Sequence, residues 1–139
     1  MRYYLDTNIL VALFTRTTDN LNHDVRTLIG DCSEIFYASS VAVHELIHLI
    51  QIERIRCSKS EKIKASDVIH WLDICGIKTV YVSKRHLQTY SEMPIVQGHT
   101  DPSDRLIIAQ AITDRIPIIS TDLRFPTYAP VGLEHIPGR

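Results

Sequence analysis

Short runs rich in β-branched and aromatic residues alternate along this chain with longer runs whose apolar residues recur at helical spacing. That alternation predicts an α/β fold built on a parallel sheet, because parallel strands must be joined by crossovers and helices are the usual crossover. Arg2 to Leu5 reads as a first strand, and Thr7 or Asn8 can cap a helix carrying Ile9, Leu10, Leu13 and Phe14. Leu21, Val25, Leu28 and Ile29 suggest a second helix. Glu34 to Ala38 reads as a second strand, after which Ser39 or Ser40 can cap a long amphipathic helix containing Glu45. A further helix is expected from about Ser60 to Cys75, stopping at Gly76. Ile77 to Val82 reads as a third strand, followed by a helix capped by Ser83. Asp101-Pro102 opens another helix, with Asp at the cap and Pro at the first helical position; it carries Leu106, Ile107, Ala109 and Ile112 and ends near Ile116-Pro117. Ile118 to Thr121 makes a fourth strand and Leu133 to Ile136 a short fifth.

Nothing repeats and no Gly/Ser/Pro linker divides the chain, so residues 1–139 read as one domain: a twisted parallel sheet of four to five strands flanked by helices. The longest apolar candidate, Val41 to Ile55, is interrupted by His44, Glu45, His48, Gln51 and Glu53, so no membrane span is expected. The N-terminus shows no secretory pattern, and Cys32, Cys57 and Cys75 lack metal-type or redox-type spacing; both observations place the expected protein in the cytoplasm. A net charge of −1 gives no global attraction for a polyanion. Arg54, Arg56, Lys59, Lys62 and Lys64 form a local basic stretch, read here as a solvated helix end and loop rather than a phosphate contact.

The acids are more informative than the total charge. Asp6 follows the first strand and Asp122 the fourth, and sites in open parallel sheets form beyond the carboxyl ends of strands. Glu45 lies in the second turn of the helix after strand two, and Asp104 in the first turn of its own helix. Each has an ordinary structural alternative: Asp6 as a helix cap, Asp104 as a complement to a helix dipole, Asp122 as a turn residue. Glu45 resists such a reading, sitting among Val41, Val43, Leu46, Ile47 and Leu49. Four carboxylates meeting at one sheet edge would repel unless a cation joined them, and an all-oxygen set suits Mg²⁺ or Mn²⁺ and phosphodiester hydrolysis.

Leu5-Asp6-Thr7-Asn8-Ile9-Leu10 resembles the opening of PIN-domain nucleases. Ser39-Ser40-Val41-Ala42-Val43-His44-Glu45-Leu46 is similar to their second motif, and Ile119-Ser120-Thr121-Asp122 to their last acidic one. His99-Thr100-Asp101-Pro102-Ser103-Asp104-Arg105 resembles the His-x-Asp-Pro-Phe-Asp-Arg stretch of one VapC-like toxin subgroup, departing from it at Ser103, where Phe is usual. The resemblance covers nearly the whole chain. It implies a PIN-like fold, divalent-metal cleavage of RNA, a homodimer, and inhibition by a small antitoxin whose C-terminal segment reaches the active site. It also implies that Asp6, Glu45, Asp104 and Asp122 are the metal-site acids, while helix geometry gives Asp101 a capping role.

Rival readings have specific carriers. His44-Glu45-Leu46-Ile47-His48 fits H-E-x-x-H, the zinc-peptidase pattern, with His70, His86 or Glu61 as a third ligand, but it leaves Asp6, Asp104 and Asp122 without a role. A phosphatase of the haloacid-dehalogenase type would need an Asp where Asn8 stands. A PIN-like module that binds RNA or protein without cutting is the third. Trp71 reads as a core or dimer-interface residue and not a base-stacking platform, and Tyr3 and Tyr4 read as packing residues. His99 and Arg105, flanking the third motif, divide evenly between solvent-facing polarity and contact with a phosphate or an antitoxin carboxylate.

Overall fold

A computed structural model describes residues 1–57 and 63–139 of the chain. Five strands, β1 (Arg2–Leu5), β2 (Ile35–Ser39), β3 (Ile77–Val80), β4 (Ile118–Ser120) and β5 (His135–Pro137), form one sheet in the order β3-β2-β1-β4-β5, with every pairing parallel. The helices are α1 (Thr7–Thr15), α2 (His23–Ile29), α3 (Ser40–Gln51), α4 (Val68–Ile74), α5 (Lys84–Glu92) and α6 (Pro102–Asp114). The expected α/β architecture is thus observed, with β1 at the centre. Both faces of β1 are covered. Tyr3 and Tyr4 point to opposite sides of the sheet, and both are buried. They stack in tilted fashion on Phe36 and Tyr37 of β2, with centroids 6.0 and 5.9 Å apart. Burial on both faces is what a parallel sheet requires.

The chain order of this sheet creates a switch point at β1. Its neighbours, β2 and β4, lie on opposite sides, and the connections leaving β1 and β4 at their carboxyl ends run to opposite sides, towards β2 and β5. Register sets the height of the acids at this edge: Leu5 pairs with Ile119, which places Asp6 beside Ser120 and just ahead of Asp122. On β2, Ser39 turns directly into α3 and caps it through a bond from the Val41 amide at 3.0 Å. The apolar face of α3 buries Ala42, Val43 and Leu46, which orients the intervening Glu45 partly toward the same edge.

Several element ends differ from those expected of the sequence, each for a local reason. The α1 cap is Asp6 itself, not Thr7 or Asn8: its carboxylate accepts the Thr7 amide at 2.8 Å from an extended backbone. Within the helix expected over 60–75, the described residues form a short 3-10 turn at Ala65–Asp67, at whose start the Asp67 carboxylate accepts the Lys64 amide at 3.0 Å, and then α4. Ser60, and with it Lys59, Glu61 and Lys62, lies outside the described residues. Helix α6 stops at Asp114, with Arg115 adopting a left-handed conformation (φ 55°) before the strand. The last strand begins two residues later than expected. Leu133 is instead drawn into the core after Gly132 (φ 106°) ends the 3-10 stretch Phe125–Val131. Trp71 packs edge-on against Phe14 at 5.3 Å, a structural role as expected. No helix among the described residues is long and apolar enough to cross a membrane.

Candidate metal centre

Asp6, Glu45, Asp104 and Asp122 all line one open cleft of about 270 Å³ at the carboxyl edge of the sheet, together with Thr7, Asn8, Val11 and Leu49. The four acids come from the end of β1, from α3, from the first turn of α6 and from the turn after β4. Sequence distance between them is large, so their convergence is a product of the topology and not of any local motif.

Asp6 is buried, with one oxygen taking the Thr7 amide at 2.8 Å and the other the Ser120 hydroxyl at 2.7 Å. Burial pushes its carboxyl up to about 7; the two hydrogen bonds oppose that shift, and the Asp104 and Glu45 charges add to it. Glu45 is raised above the ordinary carboxylate range, first by desolvation and then by the charges of Asp104 and Asp101, against a 3.0 Å bond donated by the Thr7 hydroxyl. Asp104 is raised as well, by desolvation and by Asp101. Asp122 is the exception. Arg124 grips it with Nε on one oxygen at 3.0 Å and a terminal nitrogen on the other at 2.8 Å, and these bonds hold its carboxyl low. The same guanidinium stands 3.7 Å from Asp104. Three acids thus resist ionisation while the fourth is balanced by a cation of the chain's own. A surplus of carboxylates over the one guanidinium, oxygen donors and an open cleft fit a hard divalent cation.

The raised Asp6 value has a consequence for the metal-free protein. The folded state holds a proton on Asp6 up to about pH 7, whereas the unfolded chain releases it near the ordinary carboxylate value of about 3.9. The native state therefore binds more protons across that window, and stability falls as pH rises from about 4 through 7, by on the order of 4 kcal/mol from this group. Asn accepts the Thr7 amide equally well and never ionises. Asp6→Asn is therefore expected to melt roughly 10 °C above the parent protein at pH 8 in EDTA and to match it near pH 4. A marked loss of melting temperature in Asp6→Asn at pH 8 would make Asp6 a structural cap instead.

Other residues singled out from the sequence fall elsewhere. Asp101 caps α6, accepting the Asp104 amide at 3.0 Å, and is exposed. His44 and His48 are exposed on α3. His70 is exposed on α4, His86 is buried and bonded to Asp114 at 2.9 Å, and Glu61 lies outside the described residues. Among the described residues, His99, Asp104 and Asp122 bring metal-type ligand atoms within 4.8 Å of one another, and neither His of the H-E-x-x-H stretch joins that group. The expectation of solvent-facing or phosphate-facing roles for His99 and Arg105 is overturned by burial: His99 is 1% and Arg105 5% exposed. Arg105 lies over the Tyr90 ring at 4.8 Å and donates to the carbonyls of Met93 and Pro94, each at 3.4 Å. It braces the segment that leads to His99.

Sequence reasoning also passed over Thr7 and Ser120. Thr7 donates to Glu45, and Ser120 donates to Asp6 while accepting the Asp122 amide at 3.0 Å. Both hydroxyls stand next to acids already chosen, and a Thr directly after Asp6 and a Ser two before Asp122 were the signals available.

A family model for the PIN domain matches residues 3–130. Among solved structures, the chain is similar to VapBC2 from Rickettsia felis bound to a promoter DNA fragment, at 20% identity over 100% of both chains with a TM-score of 0.69. It is similar to a toxin–antitoxin complex from Klebsiella pneumoniae, at 15% identity over 99% of this chain and 98% of that one with a TM-score of 0.65. It is also similar to VapC20 of Mycobacterium tuberculosis, described as a sarcin–ricin loop cleaving toxin, at 12% identity over 95% and 97% of the two chains with a TM-score of 0.63. No curated protein matches the chain in sequence. With the family model spanning nearly its whole length, the chain belongs to the PIN domain family.

Proposed function

We propose that this protein is a Mg²⁺- or Mn²⁺-dependent endoribonuclease and the toxin of a toxin–antitoxin pair, working in the cytoplasm as a homodimer that a cognate antitoxin silences. The observation that carries the reading is the convergence of Asp6, Glu45, Asp104 and Asp122 on one cleft, three of them held above their ordinary range. Those four carboxylates would hold the cation. When bound, it supplies positive charge to the phosphoryl oxygens and makes a water acidic enough to attack at neutral pH.

The chain's own groups prepare the site. Ser120 ties Asp6 to the Asp122 backbone, so the acids following β1 and β4 keep a fixed spacing. Thr7 holds Glu45 by one oxygen and leaves the other for a ligand. Arg124, half-exposed, balances Asp122 and can turn to a substrate phosphate when a cation takes its place, since guanidinium pairs equally with either anion. The toxin role is supported by likeness to the Klebsiella pneumoniae toxin–antitoxin complex and to VapC20, the sarcin–ricin loop cleaving toxin.

Two outcomes test this reading. The purified protein is expected to bind Mn²⁺ reversibly in calorimetry and to carry no stoichiometric zinc in elemental analysis. One tightly held zinc per chain, lost on changing His44 or His48 to Ala, would favour the peptidase. Expression without a partner is expected to arrest growth, and Asp6→Asn to relieve the arrest; arrest that persists in a folded Asp6→Asn protein would detach toxicity from this cleft.

A further inference from the structure

We propose that His99 is a positioning residue for the metal-site acid Asp104, held for that task by a hydrogen bond from the buried hydroxyl of Tyr128; this rests on the reading of Asp104 as a metal ligand. The ring of His99 lies wholly inside the protein. It meets Tyr128 edge-on at 5.4 Å and Phe125 at 6.3 Å, while its Nδ1 is 2.6 Å from the Tyr128 hydroxyl and its Nε2 3.4 Å from an Asp104 oxygen.

The direction of these bonds comes from counting hydrogens. Tyr128 is fully buried, and His99 Nδ1 is the hydrogen-bond partner of its hydroxyl. A buried tyrosine O–H must find an acceptor, so Tyr128 donates and Nδ1 accepts. A neutral imidazole has one N–H, which this bond forces onto Nε2, facing Asp104. The result is a directed chain, Tyr128 O–H to His99 Nδ1 and His99 Nε2–H to Asp104 Oδ2. It fixes the carboxylate's rotation and favours its charged form, and it leaves no lone pair on Nε2 for a cation. His99 therefore stands behind a ligand and is not one itself, although its ring nitrogen lies close to both Asp104 and Asp122.

The backbone is built to deliver the ring. The His99 amide donates to the Val96 carbonyl at 3.0 Å across a tight turn whose third residue, Gly98, has φ 81°. Arg105 pins the carbonyls of Met93 and Pro94 at the start of the same segment. Two buried polar side chains within one motif thus serve a single end: one holds the loop, the other holds the acid.

The test is the proton's position, read by long-range ¹H–¹⁵N correlation of the histidine rings in metal-free and Mg²⁺-loaded protein, with the His99 signals assigned by their loss in His99→Gln. The proton is expected on Nε2 alone in both states. In Tyr128→Phe, which keeps the ring and removes the hydroxyl, Nδ1 loses its donor, the tautomers mix, and the Mn²⁺ dissociation constant is expected to rise about tenfold or more in a folded protein. His99→Gln, whose amide can still donate to Asp104, is expected to bind Mn²⁺ more tightly than His99→Leu. A proton found on Nδ1 of His99 overturns the proposal, as does Mn²⁺ affinity unchanged in folded Tyr128→Phe. The tautomer is read without RNA or turnover, so failure to cleave RNA would count against the nuclease reading and not against this one.

Discussion

Asp6→Asn and Asp104→Asn are each expected to lower RNA cleavage by roughly a thousandfold or more, on the order of 4 kcal/mol of transition-state stabilisation, while the protein stays folded. Asn keeps the shape of the side chain. At position 6 it can still accept the Thr7 amide at the head of α1. What it removes is the negative charge that would hold a cation. In the proposed mechanism the acids work together through bound metal, so losing one forfeits most of the effect, and the double variant should be scarcely slower than either single one. Asp101→Asn is the internal control. Asp101 is exposed and caps α6 through its side-chain oxygen, and Asn caps equally well, so this variant should retain most of its activity. Rates measured on variants with unchanged circular dichroism and no loss of melting temperature decide the matter. Additive losses, or equal loss in Asp101→Asn, would mean that the acids do not work as one unit.

The largest loss of stability is expected from Leu46→Ala. Leu46 is fully buried on α3, one residue after Glu45, on the face that also buries Ala42 and Val43. Truncation removes the transfer energy of its side chain and leaves a cavity, together about 3 kcal/mol and within the usual range of roughly 2–5 kcal/mol. For a domain of this size the melting temperature should fall by roughly 10 °C. Cleavage per folded molecule should change little at about 25 °C, because Glu45 is placed by the helix and by the Thr7 hydroxyl and not by contact with Leu46. Thermal melts and active-site titration separate the two quantities. A Leu46→Ala protein that melts within about 2 °C of the parent would show that α3 is not anchored through this residue.

These contrasting effects show how differently the parts of the molecule are written in the chain. The sheet is legible because each strand is a short β-rich run and each crossover a periodic helix, and such patterns are local. The four cleft acids are legible because strand ends and helix starts imply the edge on which they lie. Element ends are less so: the Asp67 carboxylate capping Lys64, and Leu133 entering the core instead of the last strand, are decided by single side chains. The surroundings of the acids are the least legible. Nothing beside His99 in the chain signals its burial, because its partner Tyr128 lies 29 residues onward, in a 3-10 stretch with no periodic signal. Arg105 is buried against Tyr90, Met93 and Pro94, which precede its own helix. A polar side chain's burial depends on what the fold brings to it, and that information is not in its neighbours along the chain.

A divalent cation working through the carboxylate cleft is the central requirement of the proposed activity. The direct measurement is cleavage of a defined RNA by purified protein, first in EDTA and then after stepwise addition of Mg²⁺ or Mn²⁺ in excess over the chelator. Cleavage is expected to be absent in EDTA, to appear with saturable dependence on either ion, and to stay absent at every concentration in Asp6→Asn. Cleavage that continues undiminished in EDTA would contradict the assignment of Asp6, Glu45, Asp104 and Asp122 as a metal centre.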